Sequence, residues 1–381
     1  MKIIDFIKKL FKNKNMNITA KITGIIYTPK LTKDLETIEF NNFDINSLPA
    51  NCIINFDEFS FGLSKWVSPK RTRSYPYERV YNTLGTAKRI TVIPIIKDEG
   101  KQGDRDFIQW DTISLMSLLD VFVVFAYYYK AEKHPSRNNK ITNQQFDNEL
   151  VKTKITEIKN YHSSALHWNL KEIKESFPEL IQNVKSSYRK ISSELNVEFH
   201  NEQGIDKFAN QFIDGVNKFM KTSRQKAQDA QNREMQTIQP KEALSTLTKA
   251  TITIENYLGG KYYFTTDEIK IKKNKLFLIE AKHSKTSLLP SVGDIKDGLL
   301  KMILYTNLEN VFVNNKKYQT VPVIKLTSTN LEERFSTEEN TTEIENYIEN
   351  SNFTETQKKI VKVLLEEAQE NNFNVIIENA K

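Results

Sequence analysis

Cysteine and long apolar runs are scarce in this chain of 381 residues, which has a single cysteine, Cys52. A lone cysteine cannot form a disulfide within the chain or a multi-cysteine zinc cluster, so we expect a reducing compartment, the cytoplasm. The longest apolar run, VFVVFAYYY at 121–129, is about half the roughly 20 residues that a membrane-spanning helix needs. Its branched and aromatic residues predict a buried strand instead.

Several functional motifs are also absent from the sequence. A Walker-type glycine loop followed by Lys-Ser or Lys-Thr does not occur, which argues against a nucleotide-driven motor. The five histidines lack the spacing of metalloproteases and of His-Asn-His nucleases. The opening MKIIDFIKKLFKNK has no long apolar stretch with a cleavage site. It predicts an amphipathic helix packed on the protein, with membrane-surface binding as the alternative.

Positive charge predominates, but it is unevenly distributed. The formal net charge is +7, yet the residues from Glu332 onward hold twelve Glu against five Lys or Arg. The preceding residues therefore carry a larger positive excess than the whole chain. A polyanion such as nucleic acid would bind this preceding part and avoid the acidic tail.

Residue patterns divide the chain into four predicted segments. β-branched clusters between turn residues predict strands, whereas apolar residues three and four apart predict amphipathic helices. The predicted segments are an N-terminal α/β region at 1–141, a helical region at 142–243, an α/β core at 244–328 and an acidic C-terminal extension at 329–381.

The stretch FTTDEIKIKKNKLFLIEAKHSK at 264–285 predicts a β-hairpin with a charged end. Alternation along the second strand puts Glu280 and Lys282 on one face, and the tight turn returns Asp267 towards them. Two carboxylates suit Mg²⁺, which takes few protein ligands together with waters and a phosphate oxygen. The lysine would position the attacking water and stabilise negative charge. The pattern therefore predicts hydrolysis of a phosphodiester bond.

These residues resemble the motif of the PD-(D/E)XK nuclease superfamily, which includes many type II restriction endonucleases. Asp267 matches its first metal-binding acid, Glu280 the second and Lys282 its lysine. The element order from about 242 to 328 also resembles the family, with KEALSTL, ATITIENY, DEIKI, KLFLIEAKH, GDIKDGLLKMILYTNL and TVPVIKLTS as helix, three strands, helix and strand. The resemblance implies an α/β fold with a mixed-sheet, restriction-endonuclease-like core, elaborated by the N-terminal α/β region and a large helical insertion.

The sequence departs from the family at three points. Thr266 stands where the motif name has proline, and Lys301 and Tyr305 stand at the spacing where RecB-like relatives have glutamine and tyrosine. Many relatives add an acid from the first core helix, and Glu242 and Glu255 are both candidates for that role.

Two simpler interpretations of these charges remain open. Glu280 and Lys282 could form only a salt bridge at a strand end. Asp294, Asp297, Lys301 and Tyr305 fall along one stripe of the following helix, which could border a substrate cleft or face solvent.

The segment KWVSPKRTRSYPYERVYNT at 65–83 mixes basic and aromatic residues. Such residues grip phosphates and stack on bases, although an ordinary basic surface loop has the same composition. The predicted DNA contacts are Lys65, Lys70, Arg71, Arg73, Tyr75 and Arg79.

A second acidic segment, KDEGKQGDRDF at 97–107, allows two interpretations. Asp98, Glu99, Asp104 and Asp106 could form another metal site or donate a carboxylate to the first. More often such a cluster is a turn whose aspartate caps the next helix.

The sequence thus predicts a Mg²⁺-dependent DNA endonuclease, most simply a type II-like restriction enzyme. Its partners would be double-stranded DNA and a protective host DNA methyltransferase, with a homodimer left open and no membrane partner. The alternatives are a nuclease of the same fold that cuts recombination intermediates or RNA in a defence system, and a catalytically silent nucleic-acid-binding protein.

Overall fold

The computed structural model describes residues 16–69, 76–213, 217–219, 221, 225, 248–256, 261–332, 334–337 and 341–380. The predicted N-terminal helix and the predicted first core helix, KEALSTL at 241–247, lie outside these ranges. Among the described residues, every helix is too short or too polar to cross a bilayer.

The described chain combines mixed sheets with several helices, so the predicted α/β class is confirmed. The strands are β1 Met16–Lys21, β2 Thr37–Glu39, β3 Asn51–Phe56, β4 Phe59–Lys65, β5 Lys88–Pro94, β6 Ile96–Asp98, β7 Arg105–Phe107, β8 Val121–Ala126, β9 Tyr128–Lys133, β10 Ile141–Phe146, β11 Thr248–Glu255, β12 Lys261–Lys272, β13 Lys275–Ser284, β14 Glu309–Val313, β15 Lys316–Lys317, β16 Gln319–Ser328, β17 Phe335–Ser336 and β18 Asn374–Asn379. The helices are α1 Pro76–Tyr81, α2 Trp110–Leu118, α3 Asn148–Lys159, α4 Ala165–Glu175, α5 Phe177–Leu195, α6 Gln203–Ile213, α7 Val292–Thr306, α8 Thr341–Asn350 and α9 Glu355–Asn371, with a 3-10 turn at Phe40–Asn42.

The described residues divide into two compact units, each with its own principal sheet. The nine-stranded unit contains residues 16–31 and 248–380, and the five-stranded unit contains the described residues between 32 and 225. This division differs from the four predicted segments. The predicted boundary at 141 falls at the start of β10, which pairs with β9. The predicted acidic extension supplies β18, which pairs with β16 and so belongs to the sheet.

The nine-stranded sheet is mixed, with the strand order β15-β14-β1-β11-β12-β13-β16-β18-β17. β11, β12 and β13 are antiparallel neighbours, whereas β13, β16 and β18 are parallel. Parallel neighbours need a crossover connection, and α7 lies in the one between β13 and β16 and packs on both strands. The predicted order of three strands, a helix and a strand is found, with the short hairpin β14–β15 inserted before β16.

In the nine-stranded unit, a buried carboxylate of α9 forms hydrogen bonds with residues 27–31. The Glu367 side chain is fully buried. It accepts hydrogen bonds from the Tyr27 hydroxyl at 2.7 Å and from the backbone N–H groups of Lys30 at 3.0 Å and Leu31 at 2.9 Å. An acid of the predicted extension therefore has a structural role in the body of the unit.

The five-stranded sheet has the order β2-β3-β4-β5-β8, and all six residues of β8 are buried, as the sequence predicts. β8 is an edge strand whose free backbone groups are covered by side chains of α4. Asn169 accepts a hydrogen bond from Val123 N–H at 2.8 Å and donates one to the Val121 carbonyl at 3.1 Å. Trp168 Nε1 donates to the Val123 carbonyl at 2.9 Å. The helix thus blocks an edge that could otherwise pair with another strand.

Candidate active site

The β12–β13 hairpin places Asp267 beside Glu280, as predicted. Backbone pairing between the two strands runs to Glu268 opposite Ile279, so Asp267 and Glu280 are the next residues on their strands. Oδ2 of Asp267 accepts a hydrogen bond of 2.9 Å from the backbone N–H of Ala281. The first acid therefore points towards the E-x-K strand.

Glu280 and Lys282 share the face of β13 that α7 covers. Glu280 is 1% exposed, whereas the Lys282 side chain keeps 13% of its surface exposed. Lys282 Nζ lies 2.9 Å from Oε1 of Glu280. The ion pair of the simpler interpretation is therefore present, and it lies next to Asp267 in a largely buried position.

Two side chains of α7 complete this charged cluster. Oδ2 of Asp297 lies 2.6 Å from Lys282 Nζ, and Lys301 Nζ lies 2.7 Å from Oε2 of Glu280. Residues four apart lie on the same side of a helix, so both point to β13. The polar stripe of α7 therefore borders the candidate site at these two positions and is not a solvated face. We call Asp267, Glu280, Lys282, Asp297 and Lys301 the site cluster.

Gly298 gives Lys282 its path beneath α7. A Cβ at position 298 would lie 3.2 Å from Lys282 Cε and 3.1 Å from Ile324 Cδ1. Both distances are shorter than ordinary carbon contacts. A glycine inside a helix therefore allows the lysine stem to pass and its ammonium group to reach both acidic partners.

The electrostatics of the site cluster keep Lys282 charged. Burial on its own lowers the pKa of this amine, but the carboxylates of Glu280 and Asp297 outweigh it and raise the pKa above its ordinary 10.5. The pKa of Tyr305 is also well above its usual range, first because the phenol is buried and then because Glu280 and Asp267 are nearby. Both acids thus act on one buried hydroxyl, which agrees with their proximity.

The carboxylates of the site cluster fit a hard divalent ion, with the constraint that lysines already hold Glu280. Mg²⁺ is commonly held by one or two carboxylates, waters and a substrate phosphate, and Asp267 and Glu280 offer that set. Asp267 uses only Oδ2 in hydrogen bonds with the described residues. Both oxygens of Glu280 are held by lysines. Nowhere in the described ranges do three or more His, Cys, Asp or Glu side chains form a metal-binding group.

Of the two candidates for an additional acid, only Glu255 lies within the described residues. Glu242 lies outside the described residues. Glu255 ends β11, five residues beyond Ala250, which pairs with Thr266 beside Asp267. Five strand residues span about 17 Å, so Glu255 lies too far from Asp267 to be the additional acid.

Two of the predicted DNA contacts have structural roles in the five-stranded unit. Lys65 Nζ donates to the carbonyl oxygens of Ile45 at 2.8 Å and Leu48 at 2.6 Å, and burial lowers its pKa. Arg79 donates to the Lys65 carbonyl at 2.6 Å, and burial lowers its pKa as well. Both side chains therefore make contacts within the unit, and their contact with DNA stays a prediction. The other four predicted contacts, Lys70, Arg71, Arg73 and Tyr75, lie outside the described residues.

The acidic segment 97–107 forms the hairpin β6–β7. Its aspartates do not cap the next helix, because the residue before α2 is Gln109, which makes no capping bond through its side chain. Asp106 accepts a hydrogen bond from Ser68 Oγ at 3.2 Å, and the Asp104 carbonyl oxygen accepts one from a backbone N–H within the hairpin. The capping interpretation is therefore wrong.

The other two acids of that segment are engaged locally. Asp98 is 2% exposed, and its Oδ1 lies 2.8 Å from His200 Nδ1. Glu99 is paired with Lys97 at 2.8 Å and Lys140 at 2.9 Å. These partners hold the hairpin in place, and the segment does not supply a metal-binding group among the described residues.

No family model matches this sequence, and neither the curated proteins nor the solved structures contain a significant match to the chain.

Proposed function

We propose that the chain is a Mg²⁺-dependent endonuclease that hydrolyses DNA phosphodiester bonds on a PD-(D/E)XK core, and that it acts as a restriction enzyme. The observation that carries the proposal is the hydrogen bond from Ala281 N–H to Asp267 Oδ2, since it holds the first acid against the strand of Glu280 and Lys282. The order β11, β12, β13, α7 and β16 supports the same core.

Each residue of the site cluster has a chemical role in this proposal. Asp267 and Glu280 would hold the ion, which supplies Lewis acidity towards the phosphate and acidifies water when it is bound. Lys282 stays protonated between its two acidic partners. It therefore acts as a donor that positions water and stabilises negative charge in the transition state, not as a base. Asp297 is a positioning residue for that ammonium group.

The partners follow from the proposed reaction. Double-stranded DNA would be the substrate, and the positive excess of the residues before Glu332 favours such a polyanion. A restriction enzyme also requires a host DNA methyltransferase that protects the same sites.

Cleavage of supercoiled plasmid in Mg²⁺, with EDTA as the metal-free control, tests this function. We expect fragments with fixed ends from the wild type and a loss of about 10²–10³-fold in rate for Lys282→Met and Glu280→Gln. Lys325→Gln is the matched control, because this half-buried lysine also pairs with two acids, Glu268 at 3.3 Å and Glu378 at 2.9 Å.

Other outcomes separate the alternatives. Random nicking or degradation of RNA would favour a same-fold nuclease with another substrate. Undiminished cleavage by purified, folded Lys282→Met protein would contradict the proposed mechanism.

A catalytically silent nucleic-acid-binding protein is the second candidate. The observation that favours it is the engagement of both Glu280 oxygens by Lys282 and Lys301. Salt-sensitive DNA binding without metal-dependent cleavage would support this candidate.

A further inference from the structure

Lys301 gives Glu280 a second cationic partner. Its Nζ lies 2.7 Å from Oε2, while Lys282 Nζ lies 2.9 Å from Oε1. Only 15% of the Lys301 side chain is exposed, so water screens this ion pair poorly. The carboxylate that would hold the ion is therefore already neutralised by the protein at both oxygens.

We infer that Lys301 and the divalent ion compete for Oε2 of Glu280, so that Lys301 sets the metal concentration at which the site loads. The inference rests on the proposed function, since it takes Asp267 and Glu280 as the protein ligands of the ion.

Competition follows from the distances. Mg²⁺ binds a carboxylate oxygen at about 2.1 Å, and Lys301 Nζ lies 2.7 Å from Oε2 of Glu280, so an ion on Oε2 would share that oxygen with the ammonium group. Two cations on one oxygen repel each other strongly where the surroundings are largely protein. Metal binding therefore requires Lys301 to leave this oxygen, and the ion pair between Lys301 and Glu280 is then lost.

We take Lys301 as the cation that yields, because Lys282 also contacts a second carboxylate of the site cluster. Lys282 Nζ has a second carboxylate at 2.6 Å, that of Asp297, and its stem packs against Gly298. Withdrawal of Lys282 would break its ion pair with Asp297, which is 6% exposed. Withdrawal of Lys301 leaves Glu280 with both the ion and Lys282.

Direct metal binding tests the competition without a cleavage assay. We would titrate the full chain with Mn²⁺ and follow free Mn²⁺ by electron paramagnetic resonance, and then repeat the titration with Mg²⁺ by calorimetry. Lys301→Gln should bind both ions about tenfold more tightly or better, which corresponds to about 1.4 kcal/mol. Lys301→Arg keeps the charge and should show no gain. Lys301→Met is a second neutral variant in case thermal unfolding shows that Lys301→Gln is poorly folded.

Lys325→Gln is the control for the loss of a positive charge. Lys325 pairs with Ala281 across the parallel strands β13 and β16, so it lies on the face opposite Glu280. Its side chain is 18% exposed and also has two acidic partners. Its removal should not change metal affinity, because neither partner belongs to the site cluster.

The outcomes separate this inference from the proposed function. Equal affinity in the wild type and the folded neutral Lys301 variants would overturn the inference. If Glu280→Gln still abolished binding in that case, the proposed metal site would stand without the competition. Absence of binding in the wild type and in every folded variant would overturn both.

Discussion

Gly298 lies directly against the side chain of Lys282, and a Cβ at this glycine would come within 3.2 Å of Lys282 Cε. Glycine in a helix interior costs about 1 kcal/mol relative to alanine. α7 retains it where the lysine stem crosses towards Glu280 and Asp297. The position of the ammonium group therefore depends on a residue that has no side chain.

Gly298→Ala should lower the cleavage rate more than it lowers stability. The added methyl group would displace the flexible Lys282 stem by a few tenths of an ångström. Misplaced catalytic groups cost up to about 100-fold in rate. The higher helix propensity of alanine should keep the free energy of unfolding within about 1 kcal/mol of the wild type. Plasmid cleavage and urea unfolding measure the two effects.

Gly24→Ala is the matched control, since a Cβ at Gly24 would meet nothing within 4 Å. It should leave both measurements unchanged. A wild-type cleavage rate in Gly298→Ala would show that the path of the Lys282 stem is not important for activity.

Asp297→Asn should lower the pKa of Lys282. In the wild type, burial lowers this pKa, and Glu280 and Asp297 together raise it above 10.5. When Asp297 is neutral, only Glu280 offsets the lowering of the pKa by burial, so the amine loses its proton at a lower pH. If the protonated amine is required, the alkaline limb of the pH–rate profile should move to lower pH.

The stability that Lys282 contributes should also be lost at a lower pH in this variant. A group whose pKa is raised by folding contributes stability that is fully present below its unfolded pKa, 10.5 for Lys282, and is lost as pH rises through the folded value. In Asp297→Asn this contribution should be smaller and should disappear at a lower pH. Asp294→Asn is the control on the same helix, because the Asp294 carboxylate bonds to Ser291 at 2.6 Å. An alkaline limb that does not move in Asp297→Asn would contradict the positioning role.

The sequence predicted only part of the site cluster. Strand alternation and a tight turn predicted that Asp267, Glu280 and Lys282 meet, and they do. Helical spacing identified the stripe with Asp297 and Lys301, but spacing does not reveal what covers a helix face. The glycine between those two residues, inside an otherwise helix-forming run, was the available signal of a close approach.

Local patterns also predicted single elements better than their pairing. The buried strand β8, which the sequence predicts from its branched and aromatic residues, is found. The pairing of β1 with β11 joins distant parts of the sequence. The residue pattern of either strand does not indicate which strand it pairs with. The predicted domain boundaries differ from the two units for this reason.

Glu367→Gln should destabilise the nine-stranded unit. The buried carboxylate accepts bonds from the Tyr27 hydroxyl and from the N–H groups of Lys30 and Leu31. An amide keeps one acceptor oxygen and turns an NH₂ group towards donors. Bonds to a charged acceptor contribute about 1.5–3 kcal/mol each, so we expect a loss of about 3 kcal/mol in urea unfolding.

Glu366→Gln is the neighbouring control for Glu367→Gln. Glu366 is exposed, and its substitution removes the same charge from the same helix. It should change the free energy of unfolding by less than about 0.5 kcal/mol. Equal effects of the two substitutions would show that the lost charge, and not the hydrogen bonds of Glu367 to residues 27–31, explains the loss of stability.

Lys65→Met distinguishes the structural role of this lysine from the predicted DNA contact. Its Nζ donates to the carbonyls of Ile45 and Leu48, so its loss leaves two acceptors unsatisfied and should cost about 2 kcal/mol of stability. The salt dependence of DNA binding should stay unchanged, whereas a lost phosphate contact would reduce the slope by about 0.9. Lys33→Met, at an exposed position of the same unit, should leave stability near the wild-type value. A reduced slope with unchanged stability in Lys65→Met would restore this residue as a DNA contact.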